Sequence, residues 1–309
     1  AIPIRRESGK GGCKMLHSKM TKMDYVIEAV LIVIGAIVCI CILYPILNIL
    51  AISISADGPV LRHDVRLIPQ GFTLKAYKDI LKNESILRAF GNSIFITGVG
   101  VVCSLAATYL AAYPIACCEF PGKKIYNVFV LIPMWFQGGM VPSYLCVQKM
   151  GLINSYWALI LTALISSYHV LILTSFLRGI PRELLESARM DGAGEFRVML
   201  QVVAPLAKAP FATIGLWVIA GHWNAYFGPL LYITKSERFT LQQVLREIVL
   251  EADAAQMDLG TARSGQVSVN IADQIRYGVL IVSMIPMMVI YPFVQKYFVK
   301  GVTLGAVKG

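Results

Sequence analysis

The chain has 309 residues, of which 57% are hydrophobic and 15% charged, and its mean hydropathy is +0.66. This composition has too little polar surface to cover a soluble globule of that length, so it excludes a soluble protein and predicts a helix bundle in lipid. The net charge of +10 does not indicate nucleic-acid binding, because the basic residues are scattered through loops and form no basic face. Cations so placed are typical of loops that face lipid phosphates.

The amino-terminal segment 1–24 is polar and basic, and the apolar run after it is too long for the core of a signal peptide. We therefore expect a tail followed by a retained first span. The seven cysteines show no CxxC pair or other metal-ligand spacing, so no metal site is predicted.

Six apolar segments predict membrane spans, each about 20 residues or longer except the third. The third is short and is interrupted by Pro133 and by the turn-rich run 137–142, a break that is tolerated where the backbone faces protein or water. The predicted fold is all-α, a polytopic membrane protein with a six-span domain over 25–298 and a tail over 299–309. The spans are predicted at 25–53, 90–117, 125–137, 156–177, 210–233 and 277–298.

An even number of spans places both termini on one side of the membrane. About 16 Lys and Arg residues lie on that side and about 12 on the other, and the positive-inside rule assigns the richer side to the cytoplasm. We therefore predict that both termini are cytoplasmic; the family resemblance given below implies that the membrane is that of a bacterial cell. Segments 55–88 and 235–276 are expected outside.

A polar segment, 181–207, separates the fourth and fifth predicted spans. Pro181 suits the first position of a helix, acidic residues follow it in the first turn, and Gly192 permits the backbone turn that ends the helix. A second short helix is predicted over 195–203, ending before Pro205. Held at the ends of two spanning helices, such a helix-turn-helix can transmit force from a soluble partner into the membrane.

The spacing within this segment resembles a known motif. ATP-binding-cassette importer permeases carry a cytoplasmic Glu-Ala-Ala, then Gly after three residues, then Ile-x-Leu-Pro after nine more. Here the corresponding residues are Glu186-Ser187-Ala188, Gly192 and Val202-Val203-Ala204-Pro205. The departures at Ser187, Val202 and Ala204 are all small or apolar. Segments 72–77, 138–144, 223–227 and 295–309 further resemble the maltose-type carbohydrate branch, especially its permeases for complex oligosaccharides.

The resemblance implies a division of labour among several chains. This chain would form half of a heterodimeric pore with a second homologous permease subunit, and two copies of a cytoplasmic ABC ATPase and an extracytoplasmic sugar-binding protein would complete the importer. The residues that the resemblance assigns to ATPase coupling are Leu185, Glu186, Ala188, Met190, Asp191, Gly192, Phe196 and Pro205. The first two dozen residues are not covered by it.

Catalysis is not expected in this chain. Its Gly-Lys pairs lack the upstream Gly and the following Ser or Thr of a phosphate-binding loop. The chain is therefore predicted to be a non-catalytic subunit that binds no cofactor, while ATP and Mg²⁺ are used by the partner ATPase.

A sugar passage needs aromatic faces for stacking and neutral polar groups for hydrogen bonds. The residues predicted for it are Gln137, His222, Trp223, Asn224 and Tyr226. An interfacial aromatic belt would explain the Trp and Tyr equally well. His169 and His222 are interpreted as neutral histidines that hydrogen-bond a neighbouring helix, with lining of the sugar path as the alternative.

Two other classes of function remain as alternatives. A membrane-embedded enzyme needs a cluster of catalytic carboxylates, histidines or cysteines at matching depth, which the spans do not show. A stand-alone carrier or channel usually has two related halves or acids within its spans. Glu28 lies near the cytoplasmic end of the first predicted span, and no comparable acid lies in the middle of a span.

Overall fold

The computed structural model describes residues 22–62, 64–258 and 266–306, and the regular secondary structure of these residues is entirely helical. A 3₁₀ turn at Ser236–Arg238 and a π-helical stretch at Val198–Val203 complete the set. The helices are α1 Lys22–Ser53, α2 Asp57–Leu61, α3 Lys75–Lys82, α4 Glu84–Cys117, α5 Lys123–Trp135, α6 Met140–Lys149, α7 Tyr156–Thr162, α8 Ser167–Leu177, α9 Arg182–Met190, α10 Glu195–Arg197, α11 Ala204–Leu206, α12 Lys208–Trp223, α13 Phe227–Tyr232, α14 Leu241–Asp258 and α15 Gln266–Ala306.

Three of these helices, α1, α4 and α15, are long and apolar enough to cross a bilayer. Three further pairs meet the same test as broken spans: α5 with α6, α7 with α8, and the helical segment Glu195–Leu206 with α12, bent by 116°, 52° and 81°. Among the described residues the chain therefore has three spans, or up to six if each bent pair is one span.

Several predicted boundaries are corrected by the structure. The predicted fourth span is not continuous, because α7 ends at Thr162 and α8 begins at Ser167. The predicted fifth span begins two residues earlier, and α12 ends at Trp223 before α13 continues it. The second helix of segment 181–207 does not end before Pro205, because helical backbone runs on to Leu206.

The carboxyl-terminal helix is also longer than predicted. α15 continues through the expected end of the sixth span to Ala306, so most of the predicted tail 299–309 is helical. Residues 1–21, which hold nearly all of the predicted amino-terminal tail, and residues 307–309 lie outside the described residues.

The core centres on α4, which packs against α8 on one side and α12 on another. Buried side chains from the three helices form one cluster that includes Tyr109, Leu173 and Ile214. Close approach is possible where a residue is small: a Cβ at Gly100 of α4 would lie 2.6 Å from Nε2 of His222 on α12. By contrast α1 is exposed along its most apolar stretch. Segment 181–207 and the cavity beside Trp217 both border this core of α4, α8 and α12.

Candidate coupling loop and substrate cavity

Segment 181–207, called the coupling loop here after the role predicted for it, begins with the amphipathic helix α9. Leu185 points inward and is only 5% exposed, within the same cluster as Val198 at the start of the π-helical stretch. Met190 at the end of α9 is 88% exposed, and Phe196 beyond the turn is 69% exposed. Exposure of two large apolar side chains at one turn is typical of a surface that another protein covers.

The turn after α9 is a Schellman motif. The Gly192 N–H donates to the carbonyl of Arg189, and the Ala193 N–H donates to the carbonyl of Ala188. Gly192 has φ +82°, a left-handed conformation that glycine adopts without a side-chain penalty. A Cβ added at Gly192 would meet nothing within 4 Å. The backbone conformation is therefore what the turn requires of this glycine, and crowding plays no part.

Glu195 fastens this turn to the end of α4. Its carboxylate accepts a 2.7 Å ion-pair contact from Arg189 Nε and a 2.8 Å hydrogen bond from the Tyr113 hydroxyl. The Cys118 thiol lies 3.7 Å from the same group. Partial burial opposes ionisation of Glu195, but the hydrogen bonds from Arg189 and Tyr113 outweigh it and hold the carboxyl pKa below its ordinary value. The ionised carboxylate thus links loop and span.

Tyr109, which lies one helical turn before Tyr113 in α4, hydrogen-bonds the second half of the coupling loop. Tyr109 donates a 2.6 Å hydrogen bond to the carbonyl of Met199, which also accepts the Ala204 N–H across the π-helical stretch. Pro205 has no N–H to offer the preceding turn, so the ordinary helical bonding pattern is interrupted here. The chain then bends by 81° into α12 at Ala207, which is fully buried.

A separate cavity of about 270 Å³ lies deeper in the bundle. It is bordered by α4, α7, α8, α12 and α13. Its lining combines one indole ring, hydroxyl groups and two imidazoles with apolar walls. The lining residues are Ser93, Ile96, Leu159, Thr162, Ala163, His169, Trp217, Val218, Gly221, His222, Ala225, Gly228, Pro229 and Thr240.

An aromatic cluster stands at this cavity. His169 stacks on Trp217 with ring centroids 5.8 Å apart and planes 23° apart, and Tyr168 lies 5.9 Å from Trp217. The Trp217 side chain remains 38% exposed. Nδ1 of His169 and Nε2 of His222 are buried and have no hydrogen-bond partner in the part of the chain that the structure describes, so these atoms do not make the predicted bonds to the neighbouring helices described here. Both histidines instead line the cavity.

Comparison with known proteins identifies relatives of the chain. The family described as "Binding-protein-dependent transport system inner membrane component" matches residues 19–304. The chain belongs to this family. Its members are permease components, so the resemblance stated from the sequence is confirmed.

Individual relatives of this permease agree. Protein LplC of Bacillus subtilis is 37% identical over 86% of this chain and 89% of its own length. The polygalacturonan/rhamnogalacturonan transport system permease protein YtcP of the same species is 36% identical over 87% and 93%. A chain from the crystal structure of a bacterial ABC transporter that imports the acidic polysaccharide alginate matches with a TM-score of 0.79, 28% identity, and coverage of 90% and 99%.

The permease does not gather all the residues predicted for the sugar path. His222 lines the cavity, but Trp223 is only 4% exposed, because its ring packs edge-on against Phe90 and its Nε1 donates to the carbonyl of Ser283. Trp223 is thus a packing residue in this structure, a correction to the prediction. Three others are exposed and do not line the cavity: Gln137, Asn224 and Tyr226.

The predicted coupling residues divide in a similar way. Glu186, Met190, Asp191, Phe196 and Pro205 are exposed. Leu185, predicted as part of the docking surface, is instead buried and anchors α9 to the core. Ala188 is half-buried and Gly192 forms the turn.

Sequence reasoning missed two residues that organise these regions. Glu195 was read only as part of a short helix, although it is the acceptor for both Arg189 and Tyr113. Trp217 was not singled out at all. Its place in the middle of an apolar run was a usable signal, because tryptophans of an interfacial belt lie near the ends of spans.

Proposed function

We propose that this chain is the transmembrane permease subunit of an ATP-driven, binding-protein-dependent importer of oligosaccharides. It forms half of a heterodimeric pore with a second permease chain. Two copies of a separate ATPase hydrolyse ATP, and this chain supplies no catalytic residue and binds no cofactor. Family membership and the sugar-polymer names of the relatives support this assignment. The observation that carries it is the coupling loop, whose exposed apolar turn is tied by hydrogen bonds to a spanning helix.

The proposed topology has six spans: α1, α4, the bent pair α5 and α6, the bent pair α7 and α8, α12 with α13, and α15. The helical segment Glu195–Leu206 belongs to the coupling loop in this topology. Both termini and the coupling loop face the cytoplasm, where the ATPases bind. Met190 and Phe196 provide the apolar contacts of this docking surface, since both are largely exposed. Glu186 provides a carboxylate for a cationic or hydrogen-bonding partner on the ATPase.

Movement of the loop would reach the cavity by two routes. Tyr109 and Tyr113 connect the loop to α4, and the bend at Ala207 connects it to α12. Both helices line the cavity, α4 through Ser93 and α12 through Trp217. Closure of the ATPases would therefore shift α4 and α12 together and alter access to the cavity, a rigid-element transition of the kind used in other switching proteins.

The cavity is proposed as the contact of this chain with the transported sugar. Trp217 offers a partly exposed aromatic face on which a sugar ring can stack. His169, His222 and the hydroxyl side chains around them offer hydrogen bonds. A volume of about 270 Å³ suits a short part of an oligosaccharide, so the partner permease would contact the remainder.

The segment between α13 and α15 is proposed as the docking surface for the binding protein, with a merely solvated segment as the alternative. Its first part is held firmly against the bundle. Asn92 donates to the carbonyls of Glu237 and Phe239, and Asn154 accepts from the backbone of Thr234 and Lys235. An ordered outer surface is what recognition of a folded partner requires.

Purification of the tagged chain in mild detergent, with mass spectrometry of all retained proteins, tests this function. We expect a second permease, a Walker-motif ATPase and a sugar-binding protein. Recovery of the chain alone, under conditions that preserve a known importer treated in parallel, would contradict the proposal. It would instead favour a stand-alone carrier or channel, or a membrane-embedded enzyme.

A further inference from the structure

A cavity larger than the one beside Trp217 lies on the inner side of the coupling loop, away from the exposed apolar turn. Its volume is about 800 Å³, and it is enclosed by the end of α4, the start of α5, the end of α8 and the inward face of α9. Ile115, Leu177 and Leu185 form a buried apolar floor. Met190 and Phe196, the proposed apolar ATPase contacts, do not line it, whereas Glu186 does. The cavity is therefore separate from the apolar part of the proposed docking surface and meets that surface at Glu186.

The rim of this cavity is cationic and only partly neutralised. Lys123 pairs with Glu119 at 3.1 Å, and Arg189 pairs with Glu195 at 2.7 Å. Two further arginines of the lining, Arg178 and Arg182, make no ion pair or side-chain hydrogen bond with the residues that the structure describes. Glu186 is the single acid of the lining without an ion pair in the described part of the chain. The charge that remains is therefore positive.

The position of Arg178 indicates how deep in the membrane the cationic rim lies. Arg178 caps the carboxyl end of α8, directly after the apolar run that ends at Leu177. Arg182 is the first residue of the nine-residue helix α9, where the helix dipole also favours an anion. Two guanidinium groups that follow the end of a span lie where bilayer phosphates are found, and an arginine fork binds two phosphate oxygens at once.

An apolar crease leads from the same point along the spans. A second cavity, of about 70 Å³, lies between α5 and α8 and shares Ile115 and Arg178 with the larger one. Leu131 and Leu171 line it farther from the loop, and its mainly apolar wall also includes the polar side chains of Asn127, Thr174 and Ser175. A cationic rim continuous with a crease along two spanning helices matches a molecule that has an anionic head and an apolar chain. A soluble anion has no apolar chain that could occupy the crease.

We propose that this groove binds one anionic phospholipid, with its phosphate on Arg178 and Arg182 and the first carbons of one acyl chain in the crease between α5 and α8. The bound lipid would contact the inward face of α9 and fix the distance between the coupling loop and the bilayer. This site does not depend on the identity of the transported sugar. Basic pockets between spanning helices are known sites for anionic head groups in membrane proteins.

The test compares lipid retention by variants of the assembled transporter. Wild type, Arg178→Gln with Arg182→Gln, and Arg197→Gln would be purified from membranes in mild detergent and examined by native mass spectrometry for bound phospholipid. Arg197 is the matched control, because it is an exposed arginine of the same loop that does not line the cavity. We expect retained phosphatidylglycerol or cardiolipin in the wild type and in Arg197→Gln, and retention about tenfold lower in the double variant.

A second measurement uses the wild type alone, so that a misfolded variant does not decide the outcome. Delipidated transporter would be reconstituted into phosphatidylcholine nanodiscs with and without phosphatidylglycerol, and its thermal unfolding followed. We expect phosphatidylglycerol to raise the unfolding temperature, and inorganic phosphate not to replace it. Equal retention of lipid by the double variant and the wild type would overturn the proposal. Equal stabilisation by inorganic phosphate would overturn it too, in favour of a soluble-anion site.

Discussion

The Tyr113 hydroxyl donates a 2.8 Å hydrogen bond to the Glu195 carboxylate, although the two residues lie 82 positions apart in the chain. Tyr113 is almost fully buried in α4, whereas Glu195 stands at the turn of the coupling loop with a half-exposed side chain. This bond therefore joins the surface that would receive an ATPase to a helix that borders the proposed sugar cavity. The coupling hypothesis depends strongly on this contact.

Tyr113→Phe should loosen the loop without unfolding the bundle. The variant keeps the ring packing of Tyr113 and removes only the hydroxyl, so we expect a loss of about 1 kcal/mol in the free energy of unfolding. In the assembled transporter, the amount of sugar imported per ATP hydrolysed should fall. Thermal unfolding and paired uptake and ATPase assays would check both effects. Unchanged coupling would show that the Tyr113 to Glu195 bond does not transmit the movement.

The ion pair of Glu195 makes a pH-dependent contribution to stability. The pKa of Glu195 in the folded protein is held below its ordinary value of 4.5, so the unfolded chain binds its proton first as the pH falls. The stabilisation is complete above the ordinary pKa and is lost as the pH falls through the lowered one. The unfolding temperatures of wild type and Glu195→Gln should therefore differ at neutral pH and converge in acid. If the difference in unfolding temperature stayed constant with pH, the Glu195 carboxylate would not be the source of the pH-dependent stability.

Gly192 should tolerate asparagine better than valine. At φ +82° a β-branched residue is strained by about 1–2 kcal/mol, whereas asparagine adopts this region more readily. Space is not limiting, because a Cβ there meets nothing within 4 Å. We expect Gly192→Val to insert into the membrane but to uncouple uptake from ATP hydrolysis, and Gly192→Asn to retain most coupling. Equal behaviour of the two variants would contradict this explanation of the turn.

The two tryptophans of α12 should respond differently to truncation. Trp223 is buried against Phe90, so Trp223→Ala should cost about 3–5 kcal/mol of stability. Trp217 is partly exposed at the cavity, so Trp217→Ala should reduce sugar uptake while the unfolding temperature stays near that of the wild type. Uptake and thermal unfolding would be measured together. Normal uptake by Trp217→Ala would exclude its ring from the sugar path.

Local sequence signals predicted the coupling loop well because its features are local. A helix start, a glycine turn and an acidic first turn are readable over a few residues, and the structure has α9 and a left-handed Gly192 in those places. The break between α7 and α8 was not predictable in the same way, because 163–166 contains neither Pro nor Gly and remains apolar enough to read as one span.

The cavity was harder to predict because it depends on which helix faces meet. Trp217 and Trp223 are six residues apart, and hydropathy does not say which of them faces a void and which faces Phe90. The same holds for the partners of Glu195, since Tyr113 comes from a distant helix. Packing between elements decides these roles, and the sequence pattern of one element does not record it.

Site-specific photo-crosslinking from Met190 tests the central claim most directly. A benzophenone amino acid would replace Met190, which is 88% exposed, in the native membrane. A matched chain would carry it at Phe72, which is 69% exposed but lies before α3, on the side assigned to the exterior. We predict that position 190 crosslinks to a Walker-motif ATPase and that position 72 does not. Crosslinking of the ATPase from position 72 and none from position 190 would contradict the assignment of segment 181–207 as the coupling loop.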